Sequence, residues 1–382
     1  MKSIIKRINR IYDLSLSWGI ALLLKYKELG KIIKKTGKNN QCDYIEEWKN
    51  KWKVLGKVNK DYYRVFSRYC GENINIVPDD LCHNIIEPIL NPKRFLYVYE
   101  DKCMFDKMLW SSFGKCITPY TYIRNIGGAN FDINYSSIDS VDKVISDIPL
   151  VVDKLIIKKS IDSSSGRGVC FVQRNRDGIF VDACTNEVFS EEYLIRNFKQ
   201  NYVVQKAMNQ SPFMSEFCRT SVNTIRVAVY RSVKTNKASV LNAVVRIGKN
   251  GSVVDNAHAG GMFVGVDKDG CLGKFVCNQY GEKDFLFNGI DFCENDYKIP
   301  NYDKVKTFAE KVATALPHLR LFALDIMLDE NNEPILLEYN IRAYSVWLFQ
   351  FTGNVGLGEF TDEIIDYCKV HRKEATRISV IF

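Results

Sequence analysis

The densest set of residues able to do chemistry lies in LFALDIMLDENNEPILLEYN, residues 321–340. Two apolar segments flank a turn centred between Asn331 and Asn332, and asparagine tolerates the positive φ that tight hairpin turns need. With that centre, Asp325 falls directly opposite Glu338, with side chains about 5 Å apart. Asn340, two residues further on, shares the face of Glu338. Phe322, Leu324, Ile326 and Leu328, with Ile335 and Leu337, then form the opposite, core face. Two carboxylates facing each other on a half-buried hairpin repel, and each loses hydration. Something must compensate, unless the hairpin is a solvated edge with chance acids. The oxygens of Asp325, Glu338 and Asn340 are the hard donors that Mg²⁺ prefers, one or two ions, with phosphate oxygens completing the shell.

A second candidate is KLIIKKSIDSSSGRGVCFV, residues 154–172. It reads as strand, flexible loop, strand, and Ser163–Gly168 can present backbone N–H groups to phosphates in a concave nest. GxxxxGK[ST] is absent and the residues after Gly168 are β-branched and apolar, so this is no P-loop. The expectation is a mobile hairpin lid over a nucleotide, including Ser165, Gly166, Arg167 and Gly168, although an ordinary Ser/Gly hairpin turn has the same composition. Lys159, at the end of the incoming strand, is the candidate point charge for the phosphates.

The elements that must position these groups follow from periodicity. Helical spacing runs over residues 4–35 and again from Tyr44 to Tyr69, where Trp48, Trp52, Leu55 and Tyr62 are the apolar anchors. A short strand is expected at Phe95–Tyr99 and a helix from Lys102 to about Phe113. Strands are expected at Lys154–Lys159, Val169–Gln173, Tyr202–Lys206, Thr224–Arg231, Ser239–Ile247, Leu321–Leu328 and Pro334–Tyr339. Helices are expected at about 190–198, 302–315 and 358–371. Strand and helix interleave without a regular βαβ series, so the fold class is α+β in lobes.

Composition narrows the classes further. At 382 residues, 46% hydrophobic and 26% charged, the chain reads as a soluble globular protein of two or three lobes. Twelve cysteines without a CxxC pair read as reduced thiols of a cytoplasmic protein, and four histidines without ligand spacing give no zinc site. Residues 1–60 hold fifteen Lys/Arg against five Asp/Glu, so that segment alone carries the excess positive charge of a chain with net charge +8. Its longest apolar run, Leu14 to Leu24, is too short for a bilayer span of about 20 residues. The segment either docks peripherally on an anionic membrane, with Trp18 and Leu22–Leu24 as an apolar face, or packs as a helical domain on the rest.

Together these elements resemble the ATP-grasp superfamily, whose motifs occur in the same order. Glu100–Asp101–Lys102 looks like its acidic-then-basic leading element, and Lys159 with Gly166–Arg167–Gly168 like its strand-end lysine and lid. Val203–Val204–Gln205–Lys206–Ala207–Met208 looks like its adenine hinge, and Asp325 with Glu338–Tyr339–Asn340 like its metal-binding signature. More narrowly, Ser221–Val222–Asn223–Thr224–Ile225–Arg226, Asp255–Asn256 and Gly260–Gly261 are similar to the sugar-transfer-associated ATP-grasp family. Serines replace the usual lid glycines, and Gln205 stands where many relatives have Glu.

The resemblance implies ATP and Mg²⁺ as cofactors and two α+β lobes clasping a nucleotide. They are expected at 95–201 and 202–382, after a basic helical region at 1–94. It implies nucleotide contacts from Lys102, Lys159, Gln205, Lys206 and Met208. Arg226 and Arg342 are candidate clamps for the transferred phosphoryl group or an acceptor carboxylate, since guanidinium binds both bidentately; for Arg342 a surface ion pair is the alternative. His258 is the candidate base for an amine, or a locally bonded loop residue. The implied activity is carboxylate–amine ligation through an acyl phosphate, with a small-molecule or sugar-linked acid, in surface-polysaccharide or sugar-conjugate biosynthesis. Transfer to a sugar or lipid-linked hydroxyl is the first alternative. A membrane or nucleic-acid binder without catalysis is the second; the acidic hairpin speaks against nucleic acid.

Overall fold

A computed structural model describes residues 24–161, 168–342 and 344–376. Residues 1–23, with Trp18, Leu22 and Leu23, and residues 162–167, with Ser165, Gly166 and Arg167 of the expected lid, lie outside the described residues. The described chain is α+β, built on two antiparallel sheets.

The first sheet has six strands. They are β1 Thr121–Ile126, β2 Ala129–Phe131, β3 Lys154–Lys159, β4 Val169–Arg174, β5 Phe180–Asp182 and β6 Tyr202–Lys206, in the order β2-β1-β6-β3-β4-β5. β6 thus sits centrally in this sheet, which extends to Lys206. Alternation decides its two faces. Leu155, Ile157, Val172, Tyr202 and Val204 pack on helices Val141–Asp147 and Glu191–Asn197. Ile156 and Lys158, with their cross-strand partners Phe171 and Val169, point the other way.

The second sheet begins at β7 Thr224–Arg231, β8 Ala238–Ile247, β9 Met262–Val266, β10 Leu272–Cys277 and β11 Lys283–Asp284. After a separate ribbon, β12 Leu286–Phe287 with β13 Ile290–Asp291, it is completed by β14 Leu321–Leu328 and β15 Pro334–Asn340. Its order is β11-β10-β9-β8-β7-β14-β15. One face, with Ile225, Val227, Phe322, Leu324 and Ile326, buries helix Tyr302–Ala315 through Val305, Ala309 and Val312. The other face is divided. Ala228, Tyr230 and Leu321 lie under the N-terminal helices, where Trp48, Trp52 and Tyr63 are fully buried. Thr224, Arg226 and Asp325, at the near ends of the same strands, are left facing a cleft. The N-terminal helical region therefore packs on the seven-stranded sheet from helix 24–36 onward, through Leu29.

Several local expectations need correction. Phe95–Tyr99 is not a strand but part of helix Lys93–Glu100, entered through Pro92. Its aromatic, β-branched sequence suggested a strand, yet only Leu96 is buried, while Tyr97 and Val98 are exposed, so no neighbouring strand recruits it. The single helix over Tyr44–Tyr69 is two, Ile45–Trp52 and Lys60–Cys70, the second capped by the Asn59 side chain accepting from Asp61 N–H. β1, β2, β5 and β9 to β13 are strands beyond those expected from the sequence. Among the described residues no helix is long and apolar enough to cross a membrane.

Candidate active site

The hairpin β14–β15 pairs Asp325 with Glu338, but not through the expected turn: Leu328 pairs with Pro334, so the turn is centred on Asn331, and Asn332 takes the positive φ. From that turn Ile326 faces Leu336 and not Leu337, and a β-bulge between Ile326 and Asp325 adds the one residue that brings Glu338 opposite Asp325. A one-residue slip exchanges the faces of a strand. Leu336 is accordingly fully buried in the core, whereas Leu337, expected there, lines the cleft.

The cleft between the sheets has a volume of about 400 Å³, within the range of small-molecule sites. Its apolar slot is made by Ile156, Val169 and Phe171 of the six-stranded sheet, Met208 of the connection, and Met327 and Leu337 of the hairpin. Lys206 and Met208 thus border the cleft as the hinge expectation requires. Gln205 does not line it: its amide donates to Thr121 Oγ1 (3.1 Å) and it is buried.

The charged floor differs from a pair of repelling acids. Asp325, 6% exposed, accepts from Arg226 Nε (2.8 Å) and Nη2 (3.0 Å), from Arg246 Nη1 (3.0 Å) and from Asn340 Nδ2 (3.1 Å). Burial alone would raise its pKa, but Arg226 and Arg246 outweigh that and hold it at about 2. Arg246 also pairs with Asp255 (2.9 Å), which accepts from Thr224 Oγ1. Burial opposes the charge of Arg246, yet Asp255 and Asp325 together raise its pKa. Burial pushes the Asp255 carboxyl up, against the pull of Arg246. Glu338 is more open and pairs with Lys102 (3.1 Å). Lys102 is placed there because its backbone N–H donates to Ser160 O (3.0 Å) at the end of β3, and its helix is anchored by the buried Arg124–Asp106 pair (2.7 Å).

The lysine that enters the cleft from β3 is Lys158 and not Lys159. Lys159 shares the face of Leu155 and Ile157, is exposed, and lays its methylenes along Gly168, whose φ is +77°. Lys158 lines the cleft with its pKa lowered to about 8, first by burial and then by Lys102, against the opposing effect of Glu338. Arg342 is likewise not in the cleft. β15 ends at Asn340, Ile341 turns into the core, and the Arg342 guanidinium pairs with Glu100 and lies over the Tyr97 ring at the surface. Arg246 stands where Arg342 was expected. His258 lines the mouth, exposed, with Nδ1 bonded to Gln279 Oε1.

For Mg²⁺ the donors fit in part. Glu338 and Asn340 line the cleft and carry side-chain oxygens, and one or two protein ligands with phosphate and water suffice for this ion. Asp325, expected as a ligand, already accepts four donors, so in this arrangement it anchors two arginines. Among the described residues no three His, Cys, Asp or Glu side chains form a metal cage.

The sequence matches the family described as sugar-transfer associated ATP-grasp over residues 83–365. No curated protein matches it in sequence. Similar solved structures include the ATP-grasp ligase PsnB complexed with a phosphomimetic variant of minimal precursor, Mg and ADP (13% identity, 73% of this chain and 61% of that chain, TM-score 0.40). Others are the D-alanine-D-alanine ligase from Coxiella burnetii (10%, 72% and 59%, 0.40) and D-cycloserine synthetase DcsG (9%, 74% and 73%, 0.40). The chain spans about three fifths of the length of the first two. With the motif order, the two sheets and a match over most of its length, the chain belongs to the sugar-transfer-associated ATP-grasp family.

Proposed function

We propose that this protein is an ATP-dependent ligase that activates a carboxylate as an acyl phosphate and joins it to an amine. The observation that carries the reading is the pairing state of the cleft. Its three carboxylates, Asp255, Asp325 and Glu338, are each held by a cation, with half-buried Arg246 bridging Asp255 and Asp325 and buried Arg226 on Asp325. A hydroxyl acceptor needs a base to take its proton, and none of these three carboxylates stands unpaired for that role. A carboxylate acceptor is already deprotonated and needs cations to approach the γ-phosphate. This favours the ligase over transfer to a hydroxyl.

In the first step an acceptor carboxylate oxygen attacks the γ-phosphorus. The bond from that phosphorus to the β-bridging oxygen breaks, and its electron pair leaves with ADP. The acyl phosphate then has phosphate as leaving group, so an amine displaces it and loses one proton. Lys102 and Lys158 neutralise the phosphates, the slot at Ile156, Phe171 and Met327 takes the adenine, and Arg226 with Arg246 orient the acid. Mg²⁺, held by Glu338 and Asn340, would neutralise charge on the β- and γ-phosphates. His258 is the candidate to take the amine proton through Nε2.

The family description supports a role in sugar-conjugate or surface-polysaccharide synthesis. Helix 24–36 turns exposed Lys27, Lys31 and Lys34 outward, which supports docking on an anionic membrane face. Sedimentation with anionic vesicles should fall with salt, and salt-independent or absent binding contradicts that part. The activity itself is tested by ADP release in hydroxylamine. A hydroxamate formed only with ATP, Mg²⁺ and a carboxylic acid is expected, whereas a stable phosphate ester on an alcohol overturns the reading.

A further inference from the structure

The cleft has two chemically different ends, set by strand order. At the β15–β14 end lie Glu338, Lys102, Leu337 and Met327, next to the six-stranded sheet; this is the nucleotide end. Crossing the seven-stranded sheet, Asp325 pairs with Arg226 on β7, Thr224 pairs with Arg246 on β8, and Arg246 pairs with Phe263 on β9. The guanidiniums therefore stand in the middle and the β9 end lies beyond them. Trp347 covers that end, its ring 5.8 Å from Phe263 in an edge-on contact. The wall continues through Val222, Val253, Val254, Ala257 and Met262. Val253, 58% exposed, is an apolar side chain held open to the cleft.

Several polar atoms at this end are already engaged. Asn256 Oδ1 accepts from the His258 backbone N–H (2.9 Å), His258 Nδ1 is bonded to Gln279, and Asp255 is taken by Arg246 and Thr224. A polyhydroxylated body would recover only part of its water hydrogen bonds here, which a site tolerates poorly.

We infer that the acid accepted here carries its carboxylate on an apolar body, an acyl chain or flat ring, with the carboxylate on Arg226 and Arg246 and the body against Trp347 and Val253. This rests on the ligase reading above. Any sugar then enters on the amine side, so that the product is an N-acylated amino sugar or similar amide.

The test uses the full chain with Mg²⁺ and a non-hydrolysable ATP analogue, titrated with butanoate, pentanoate, hexanoate, phenylacetate and glucuronate. Calorimetry and the fluorescence of Trp347, compared with Trp347→Phe, report binding. Affinity should rise about fourfold per methylene, with phenylacetate bound and glucuronate at least tenfold weaker than hexanoate. Val253→Asp, at an exposed position that asks little of the fold, should weaken hexanoate tenfold or more and leave nucleotide affinity unchanged. Glucuronate binding as tightly as hexanoate, no dependence on chain length, or a neutral Val253→Asp overturns the inference. Hydroxylamine trapping separates the two levels. Acids that bind with the expected slope but yield no hydroxamate sink the ligase and leave the apolar subsite. Hydroxamate from glucuronate alone sinks the subsite and leaves the ligase.

Discussion

Replacing Asp325 with asparagine decides whether that carboxylate is a burden that something must offset or the counter-ion that holds the cleft floor together. Facing Glu338 across the hairpin, it would be relieved by neutralisation if repulsion ruled. The geometry says otherwise, because both oxygens of a buried carboxylate are engaged by Arg226 and Arg246. Its pKa falls from the usual 3.8 to about 2, roughly two pH units, or about 2–3 kcal/mol. Removing one partner of a buried pair costs about 3–5 kcal/mol, since the other charge is left uncompensated. Asn keeps one acceptor oxygen, so a loss of about 2–4 kcal/mol is expected for Asp325→Asn in urea unfolding at pH 7. Glu338→Gln is the internal control: its partly exposed single contact with Lys102 should cost under about 1 kcal/mol. The sign with pH is also fixed. A depressed carboxylate pKa stabilises above the unfolded value near 4, and the contribution is lost as pH falls from about 4 to about 2. The wild type should therefore lose its advantage over Asp325→Asn across that window. A mutant as stable as wild type at pH 7 would refute the reasoning and show that repulsion from Glu338 outweighs the arginine pairing.

Lys158→Met should weaken ATP binding ten- to a hundredfold in calorimetry, the value of a charge-assisted contact, while Lys159→Met changes it less than twofold. Because the free Lys158 pKa lies near 8 and phosphates raise it, nucleotide binding above pH 8 should take up a proton, visible as a buffer-dependent enthalpy. Arg246→Ala should reduce acid-dependent ADP release at least a hundredfold, whereas Arg342→Ala, which loses an exposed ion pair, should stay within twofold. The bulge predicts that Leu336→Ala costs about 2–4 kcal/mol of stability, while Leu337→Ala leaves stability nearly unchanged and weakens ATP binding.

What could be read from the residues was set by local chemistry. β3, β6, β7 and β14 fall where alternation and turn residues put them, whereas the Asp325–Glu338 pair owes its register to the bulge and not to the asparagine turn, which is centred on Asn331. What could not be read turned on a one-residue phase or on distant packing. Lys158 and Lys159 are equivalent in composition, and only the burial of Leu155 and Ile157 decides which enters the cleft. The bulge after Asp325 carries no glycine or other marker, so Leu336 and Leu337 exchange roles unseen. Arg342 would share the face of Asn340 only if β15 continued, but Ile341 is drawn into the core and the strand ends at Asn340. Arg246 lay on an anticipated strand, yet its meaning depends on β7–β8 and β14–β7 pairing, which brings it to Asp325 from 79 residues away.

The central claim is that the cleft brings a carboxylate oxygen to the γ-phosphorus. The direct measurement is the fate of that oxygen: the acid selected by the hydroxamate panel is labelled with ¹⁸O in its carboxyl group, turned over with ATP, Mg²⁺ and an amine, and the released phosphate is weighed by mass spectrometry. One ¹⁸O atom per inorganic phosphate is predicted, because the acyl phosphate leaves with an oxygen from the acid. Unlabelled phosphate, or label found in AMP, would contradict it.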